Sequence, residues 1–281
     1  MAVTLEQIVA LTRKKVTEWK RSADIAQLER AAEARTPRPF RDGLLRAAQR
    51  GPAIIAELKK ASPSKGVLRG TLHVASLALG FQMAGAAALS VLTEEDYFQG
   101  SIANLHEASA ASELPCLRKD FIVDRLQILE ARAAGADAVL LIVGALAPSE
   151  FTHLFGQALD AGLDVLCEVH DEQDLELTKT IGASLIGVNN RDLKTFQVDL
   201  GTAVRLAPLL PKGAVRVAES GLNTGADLRT LHDAGYHAFL IGESLMKAES
   251  PEDALRRLIA EAKAPPLGSA GVAAWGTGTK D

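Results

Sequence analysis

The sequence has few cysteines and no long, uncharged apolar segment. Only two cysteines occur, Cys116 and Cys167, and each lies in an apolar stretch where a thiol behaves as a small hydrophobic group. This pattern excludes a disulfide framework and a zinc site built on thiolates. No stretch has the composition of a signal peptide or of a membrane-spanning helix. We therefore expect a protein of the reducing cytoplasm that does not enter the membrane.

The sequence also lacks any block of Lys or Arg. Its formal net charge is −4 at pH 7, which makes nucleic acids and anionic membranes poor partners. Hydrophobic residues make up 47% of the 281 residues, enough to bury the core of one large α/β architecture. We expect the protein to act as a monomer on a small molecule, although the sequence leaves an oligomer open.

The first 50 residues read as helices that precede the main fold. Leu5, Ile8, Val9 and Val16 recur at helical spacing, which predicts an amphipathic helix. A second helical stretch covers 24–34, prolines at 37 and 39 interrupt it, and a third helix follows over 40–50. We interpret residues 1 to about 50 as an N-terminal helical extension.

From residue 51 onward the chain repeats a short apolar strand, a polar loop, a helix and a glycine turn. The predicted strands are 53–58, 87–92, 115–118, 136–143, 164–169, 184–188, 215–218 and 238–241. Uniformly apolar strands are typical of a parallel sheet that is covered on both faces. Eight such units favour a (β/α)₈ TIM barrel, and no Gly-x-Gly-x-x-Gly supports a dinucleotide fold.

The end of the chain differs in composition from the repeated units. We place one domain over 1–264, comprising the barrel and the helical extension. Residues 265–281 are rich in Pro, Gly and Thr, and we expect this tail to be disordered.

Charged side chains follow the predicted strands at the ends that would meet in the barrel mouth. In strand order they are Glu57 and Lys59, Lys119 with Phe121, Glu168, Asn189 with Arg191, and Glu219 with Ser220. Residues two apart on a strand point to the same side, so Glu57 with Lys59, Lys119 with Phe121, and Asn189 with Arg191 should each face the mouth together. A structural ion pair explains one such pair, but five charged strand ends favour an active site. We expect the acids to keep Lys119 protonated.

Two late glycine turns suggest a phosphate site. Ser220-Gly221 follows the seventh strand and Gly242-Glu243 follows the eighth, where barrels often bind phosphate through backbone N–H groups. Single glycine turns also occur for purely structural reasons. Because the Glu243 carboxylate would repel a phosphate, we expect only its backbone to face the site.

The histidines give no clear signal. Five of them fall on predicted helices or turns away from the mouth. His170 closely follows Glu168, and strand alternation predicts that its ring turns away from that carboxylate.

Several of these segments, taken jointly, resemble the indole-3-glycerol phosphate synthase family. They are residues 56–66 (AELKKASPSKG), 92–100 (LTEEDYFQG), 118–122 (RKDFI), 187–193 (GVNNRDL) and 218–221 (AESG). The likeness extends from the N-terminal helices to about Lys263. It implies closure of an indole ring on 1-(o-carboxyphenylamino)-1-deoxyribulose 5-phosphate, with loss of CO₂ and water and without cofactor or metal.

The resemblance also implies roles for individual residues. Lys119 would be the general acid, and Glu168 and Glu57 the acid and base of dehydration. Lys59 would pair with Glu57 and the substrate carboxylate, and the first proton could come from Lys119 or Lys59. Asn189 and Glu219 would surround the ribulose hydroxyls and the lysines, and Arg191 would orient a carboxylate.

Substrate-binding positions follow from the same resemblance. Phe98, Phe121, Leu193 and Leu240 would line a slot for the aromatic ring. Ser62, Ser220, Gly221, Gly242 and Glu243 would contact the phosphate and the rest of the substrate, with the side chain of Glu243 unimportant. The alternatives are another sugar-phosphate barrel enzyme, such as the isomerase of the preceding step, or a barrel that only binds a phosphorylated metabolite.

The first prediction concerns metal dependence. No His, Cys and Asp residues have the spacing of a metal-ligand cluster in the sequence, so we expect a metal chelator to leave the rate of indole formation unchanged. The rate would be measured by fluorescence with and without chelator. Loss of activity that added metal restores would contradict this prediction.

Overall fold

The computed structural model describes residues 4–192, 195 and 197–264, and its centre is a closed barrel of eight parallel strands. The strands are β1 (Ala53–Leu58), β2 (Ala88–Leu92), β3 (Cys116–Lys119), β4 (Ala138–Ile142), β5 (Asp164–Val169), β6 (Leu185–Asn189), β7 (Val215–Glu219) and β8 (Ala238–Ile241). Each strand pairs with the next, and β8 pairs with β1. The predicted (β/α)₈ TIM barrel is therefore confirmed.

Helices surround the barrel and precede it. They are α1 (Leu5–Trp19), α2 (Ile25–Glu33), α3 (Phe40–Ala48), α4 (Val74–Ala84), α5 (Ile102–Ala111), α6 (Arg125–Ala134), α7 (Pro148–Asp160), α8 (Glu172–Thr180), α9 (Gly201–Leu206), α10 (Gly225–Asp233), α11 (Glu243–Lys247) and α12 (Pro251–Lys263). A small antiparallel hairpin joins Ala61–Ser62 to Gly66–Val67 after β1. Within the described residues, no helix combines the length and the apolarity needed to cross a membrane.

Local signals in the sequence place the helix ends correctly. Asp124 and Asp171 cap α6 and α8 by accepting backbone N–H groups, and Pro148 is the first residue of α7. The predicted fourth strand begins two residues too early. Ala136 instead closes the end of α6, where Gly135 has a φ of +108° and the Ala136 N–H donates to the carbonyl oxygen of Ala131 (2.8 Å).

The strands are apolar throughout because both of their faces are buried. One face fills the barrel interior, where Ile55, Leu117 and Leu166 have no exposed surface. The other face packs against the surrounding helices, as Phe239 does. Burial on both sides removes the alternation of polar and apolar residues that a half-exposed sheet would show.

The N-terminal helices cover both ends of the barrel. At the mouth, Arg13 of α1 makes a bidentate ion pair with Glu150 (3.0 and 2.9 Å), and Lys15 pairs with Asp96. At the opposite end, Phe40 of α3 is fully buried in the interior cluster together with residues that begin the strands. The N-terminal extension is therefore an integral part of the barrel domain, with contacts at both ends of the barrel.

A buried carboxylate fastens the segment between α2 and α3 to the barrel. Asp137, whose side chain is fully buried, accepts hydrogen bonds from the backbone N–H groups of Arg38 (2.7 Å) and Cys116 (2.7 Å). The guanidinium groups of Arg38 (2.9 Å) and Arg35 (3.2 Å) contact the same carboxylate. Paired in this way, the buried charge is stabilised by partners from two separate segments of the chain, the one between α2 and α3 and strand β3.

The second prediction follows from this contact. Asp137→Ala leaves two cations without their buried partner, so the free energy of unfolding should fall by about 3 kcal/mol. Urea unfolding would measure the loss, with Asp42→Ala as control because Asp42 pairs with Arg41 on the surface and should change stability by about 0.5 kcal/mol. Similar losses in the two variants would contradict the prediction.

Candidate active site

Side chains from several strand ends converge on a cleft of about 620 Å³ at the carboxyl ends of the strands. The predicted site residues that line it are Glu57, Lys59, Ser62, Phe98, Lys119, Phe121, Glu168, Asn189, Arg191, Glu219, Ser220, Gly221, Leu240, Gly242 and Glu243. Leu193 lies outside the described residues. Parallel pairing explains the convergence, because it brings the carboxyl ends of all eight strands to one edge.

An ammonium group and two carboxyl groups form the charged centre of the cleft. The Nζ atom of Lys119 lies 3.2 Å from Glu168 Oε2 and 3.7 Å from Glu219 Oε2. Asn189 Nδ2 donates a hydrogen bond to Glu168 Oε1 (3.0 Å). Both glutamates are about 99% buried, so each charge here depends on its neighbours rather than on water.

The neighbours set the charge of each group. Burial lowers the pKa of Lys119, but the negative charges of Glu168, Glu219 and Glu57 outweigh burial and raise this pKa above its ordinary value. Burial raises the pKa of Glu168, but Lys119, His170 and the hydrogen bond from Asn189 lower it overall. The expected protonated state of Lys119 is thus supported by its surroundings.

The pKa of Glu219 is shifted in the opposite direction from that of Glu168, although both side chains end in a carboxyl group. Burial raises the pKa of Glu219 far above its ordinary value, and the adjacent Glu168 carboxylate raises it further. Its two carboxyl oxygens are buried without a well-aligned hydrogen-bond partner among the described residues. The two neighbouring carboxyl groups therefore differ in direction, since the pKa of Glu168 is lowered and that of Glu219 is raised.

A second ion pair lies at the end of β1. Lys59 Nζ is 2.5 Å from Glu57 Oε1, as the spacing of two residues at a strand end predicts. Gly242 makes room for this pair, since a Cβ atom at that position would lie 2.9 Å from Glu57 Cβ and closer still to its Oε1. A side chain at position 242 would therefore clash with Glu57, which explains the glycine after β8. The sequence alone did not reveal this contact.

Apolar side chains form one wall of the cleft. The rings of Phe98 and Phe121 lie 6.1 Å apart between centroids, tilted by 42°, and Leu240 lines the same cleft. Leu5 and Ile8 of α1 also line it, and sequence reasoning missed both. The apolar stripe of the first helix was visible in the sequence, but the surface that it covers was not.

The two glycine turns border the cleft together with the hairpin that follows β1. Ser220 and Gly221 both have positive φ angles (+66° and +79°), which turn the backbone sharply after β7. The side chain of Glu243 forms ion pairs with two neighbouring cations. Its carboxylate contacts Arg191 Nη2 (3.4 Å) and Lys247 Nζ (2.7 Å). The Glu243 side chain is thus part of the cleft electrostatics, contrary to our expectation that only its backbone would face the site.

The prediction that His170 turns away from Glu168 is wrong. His170 Nε2 lies 3.4 Å from Glu168 Oε1, and its Nδ1 lies 3.6 Å from Asp174 Oδ2. Strand β5 ends at Val169, so the pleat no longer fixes the direction of the next side chain. Beyond the strand the backbone turns into α8, and this turn brings the ring back toward Glu168.

Comparison with known proteins identifies the family. The family model described as indole-3-glycerol phosphate synthase matches residues 5–258. The chain belongs to the indole-3-glycerol phosphate synthase family. A relative of that name from Koribacter versatilis is 53% identical over 259 residues, covering 92% of this chain and all of the relative. Another, from Burkholderia vietnamiensis, is 47% identical over 260 residues, covering 92% of this chain and 99% of the relative.

Solved structures support the fold independently. A 3-hexulose-6-phosphate synthase superposes with a TM-score of 0.60 at 14% identity, covering 74% of this chain and 99% of the other. That likeness concerns the barrel alone. Membership of the indole-3-glycerol phosphate synthase family makes this protein a carboxy-lyase of tryptophan biosynthesis, and nothing in the comparisons favours an isomerase or an inactive barrel.

Proposed function

We propose that the cleft closes the indole ring of indole-3-glycerol phosphate on 1-(o-carboxyphenylamino)-1-deoxyribulose 5-phosphate, releasing CO₂ and water. The observation that carries this proposal is the charged Lys119 held between Glu168 and Glu219 beside an apolar wall. Such a centre can protonate an oxygen on a substrate whose aromatic ring lies against Phe98 and Phe121.

The cleft has a place for each part of this substrate. The aromatic ring fits the slot formed by Phe98, Phe121 and Leu240, with Leu193 as a further wall by family resemblance. The phosphate fits the end bordered by the turns at Ser220, Gly221 and Gly242. Because helix α11 begins directly after Gly242, its first backbone N–H groups favour an anion there.

The substrate carboxylate and hydroxyl groups need polar partners. Lys59 and Arg191 are the cations on the cleft wall that suit the carboxylate, and Ser62 lies near Lys59 in the same cleft. Asn189 already donates to Glu168, and its position suits a ribulose hydroxyl as well. Among the described residues, the cations Lys59, Lys65, Lys119 and Arg191 line the cleft and can attract the anionic groups of this ligand.

Ring closure is the first chemical step. The aromatic carbon that bears the carboxylate attacks the ketone carbon, and the ketone oxygen takes a proton from Lys119. The carboxylate then leaves as CO₂, and the electron pair of the broken bond restores the aromatic ring. Lys119 rather than Lys59 is assigned as the first donor, because three carboxyl groups surround it and keep it protonated until the oxyanion develops.

Dehydration completes the indole. The hydroxyl formed in the first step takes a second proton and leaves as water, and a carbon-bound proton beside the nitrogen is removed. We assign the second proton to the side of the cleft that holds Lys119 and Glu168. Glu57, on the opposite side and paired with Lys59, is assigned as the base that removes the carbon-bound proton.

We also infer that the protein works as a monomer in the reducing cytoplasm. Cys116 and Cys167 are both free and buried, and burial raises the pKa of Cys116 to about 12. Thiols in this state are unreactive and need no oxidising compartment.

The third prediction tests the proposed activity through Lys119. The purified protein should form indole-3-glycerol phosphate in a fluorescence assay, and Lys119→Met should lower kcat by about 10² or more, because methionine keeps the packing but has no proton to donate. Lys119→Arg should not restore kcat, since guanidinium holds its proton too tightly.

Two outcomes would contradict these assignments. Absence of product with the wild-type protein would remove the proposed reaction. A kcat for Lys119→Met within a few-fold of wild type would transfer the role of first acid to Lys59. Circular dichroism would verify that the variants are folded.

The fourth prediction concerns Glu243. In the free protein its carboxylate holds Arg191 and adds a negative charge beside the proposed anion sites. Glu243→Ser should therefore remove one partner of Arg191 and one negative charge, and lower KM by about two- to fivefold, the range of a partly exposed ion pair, while kcat stays within twofold. Glu249→Ser, at an exposed position beyond α11, is the matched control. A raised KM would show that Glu243 assists binding.

A further inference from the structure

Three side chains form a line that leads away from the charged centre of the cleft. Glu168 Oε1 lies 3.4 Å from His170 Nε2, and on the other side of the ring Nδ1 lies 3.6 Å from Asp174 Oδ2. Asp174 is held in place by the backbone N–H of His170, which donates to Oδ2 (3.0 Å). Gly144 closes over the carboxylate, since a Cβ atom there would lie 3.6 Å from Asp174 Oδ2.

The imidazole lies between the cleft and the outside of the protein. His170 is not among the described residues that line the cleft, yet 18% of its side-chain surface is exposed. Its Nε2 atom is buried and has no well-aligned hydrogen-bond partner among the described residues. One end of the ring therefore faces the buried Glu168, while another part of the side chain is in contact with solvent.

The proposed reaction needs such a path because it consumes a proton. The ketone oxygen takes two protons in becoming water, whereas the base receives only one from carbon, and the carboxylate leaves as neutral CO₂. Each turnover must therefore draw a proton from solvent. While substrate fills the cleft, Lys119 cannot recover its proton through the mouth, although its Nζ atom remains 3.2 Å from Glu168.

We propose that His170 is a positioning residue that carries this proton from solvent to Glu168 behind the bound substrate. The inference rests on the proposed roles of Lys119 and Glu168. After Lys119 has given its proton to the ketone oxygen, the imidazolium passes a proton from Nε2 to Glu168 Oε1. The protonated Glu168 carboxyl group then rotates about its Cγ–Cδ bond and gives that proton to Lys119 or to the departing hydroxyl. The neutral imidazole keeps its Nδ1 proton on the Asp174 side, and its Nε2 atom takes a new proton from water when the partly exposed side chain rotates between turnovers.

The charges around His170 favour its protonated imidazolium form, which this relay requires. Burial lowers the pKa of His170, but the contact with Asp174 and the charge of Glu168 raise this pKa above its ordinary value of 6.5. Lys119, on the far side of Glu168, acts in the opposite direction. Once Lys119 has lost its charge in the first step, that opposition disappears. The imidazolium is then available, and Glu168 is the nearest acceptor.

The fifth prediction tests the relay by substitution and rescue. His170→Gln should lower kcat by about tenfold and leave KM within twofold, because glutamine occupies similar space but has no titratable proton to transfer. In His170→Ala, added imidazole should restore part of kcat, whereas wild type should not respond to it. His106→Gln, at an exposed position on α5, is the matched control and should behave like wild type.

The pH profile gives a readout that a merely structural role would not affect. A group with a raised pKa is protonated below that pKa, so kcat should decline as pH rises through the pKa of His170, above 6.5. Asp174→Asn keeps an acceptor for the His170 N–H but removes a charge that raises the ring's pKa. In the Asp174→Asn variant, the decline of kcat with rising pH should therefore occur at lower pH than in wild type.

These outcomes separate failure of the relay from failure of the reaction. If wild type makes no product, the proposed function itself fails. If wild type is active, the relay is overturned when His170→Gln retains full kcat, when imidazole rescues nothing, or when the Asp174→Asn profile superimposes on that of wild type. A His170 variant that loses activity together with its fold, without rescue, also overturns it, because the residue would then be structural.

Discussion

The charge on Lys119 is the condition on which the rest of the site depends. An ammonium group this deeply placed would lose its proton to desolvation if it stood alone, and it keeps that proton because carboxyl groups from other strands surround it. The same arrangement shifts the pKa values of the two nearest glutamates in opposite directions. Glu168 is held ionised by Lys119, His170 and Asn189, and its charge in turn favours the neutral form of Glu219. Burial and the charges of neighbouring groups thus together set the protonation of this centre.

The barrel supplies the positions that this balance needs. Parallel strands end at the same edge, so Lys119 lies within 4 Å of Glu168 and of Glu219, which are 49 and 100 residues away in sequence. Glycines complete the fit at two points. A Cβ atom at Gly187 would clash with Glu219, and one at Gly242 would clash with Glu57, so each acid occupies space that a neighbouring strand leaves open. The proposed phosphate turn and the proposed base are therefore sterically linked, and a bulkier residue at Gly242 would disturb both.

The N-terminal helices are part of the same construction. Helix α3 closes the end of the barrel opposite the cleft, and α1 crosses the mouth, where Leu5 and Ile8 extend the apolar wall. The ion pairs of α1 with Glu150 in the first turn of α7 and with Asp96 in the loop after β2 fix it to two different βα units. An aromatic ring in the proposed slot would therefore contact both the barrel and the extension.

Much of this protein was determined locally and could be predicted from the sequence. The eight apolar strands, the caps at Asp124 and Asp171, and the pairing of Glu57 with Lys59 each depend on neighbours a few residues away, and the shared motifs indicated the family. Only the tertiary structure decided how distant groups meet. Strand alternation could not place His170, because the strand has ended there, and composition could not tell that the pKa of Glu168 is lowered while that of Glu219 is raised. The physical reason is that burial and the charge of a neighbour set a pKa, and both arise only when separate strands close into one barrel.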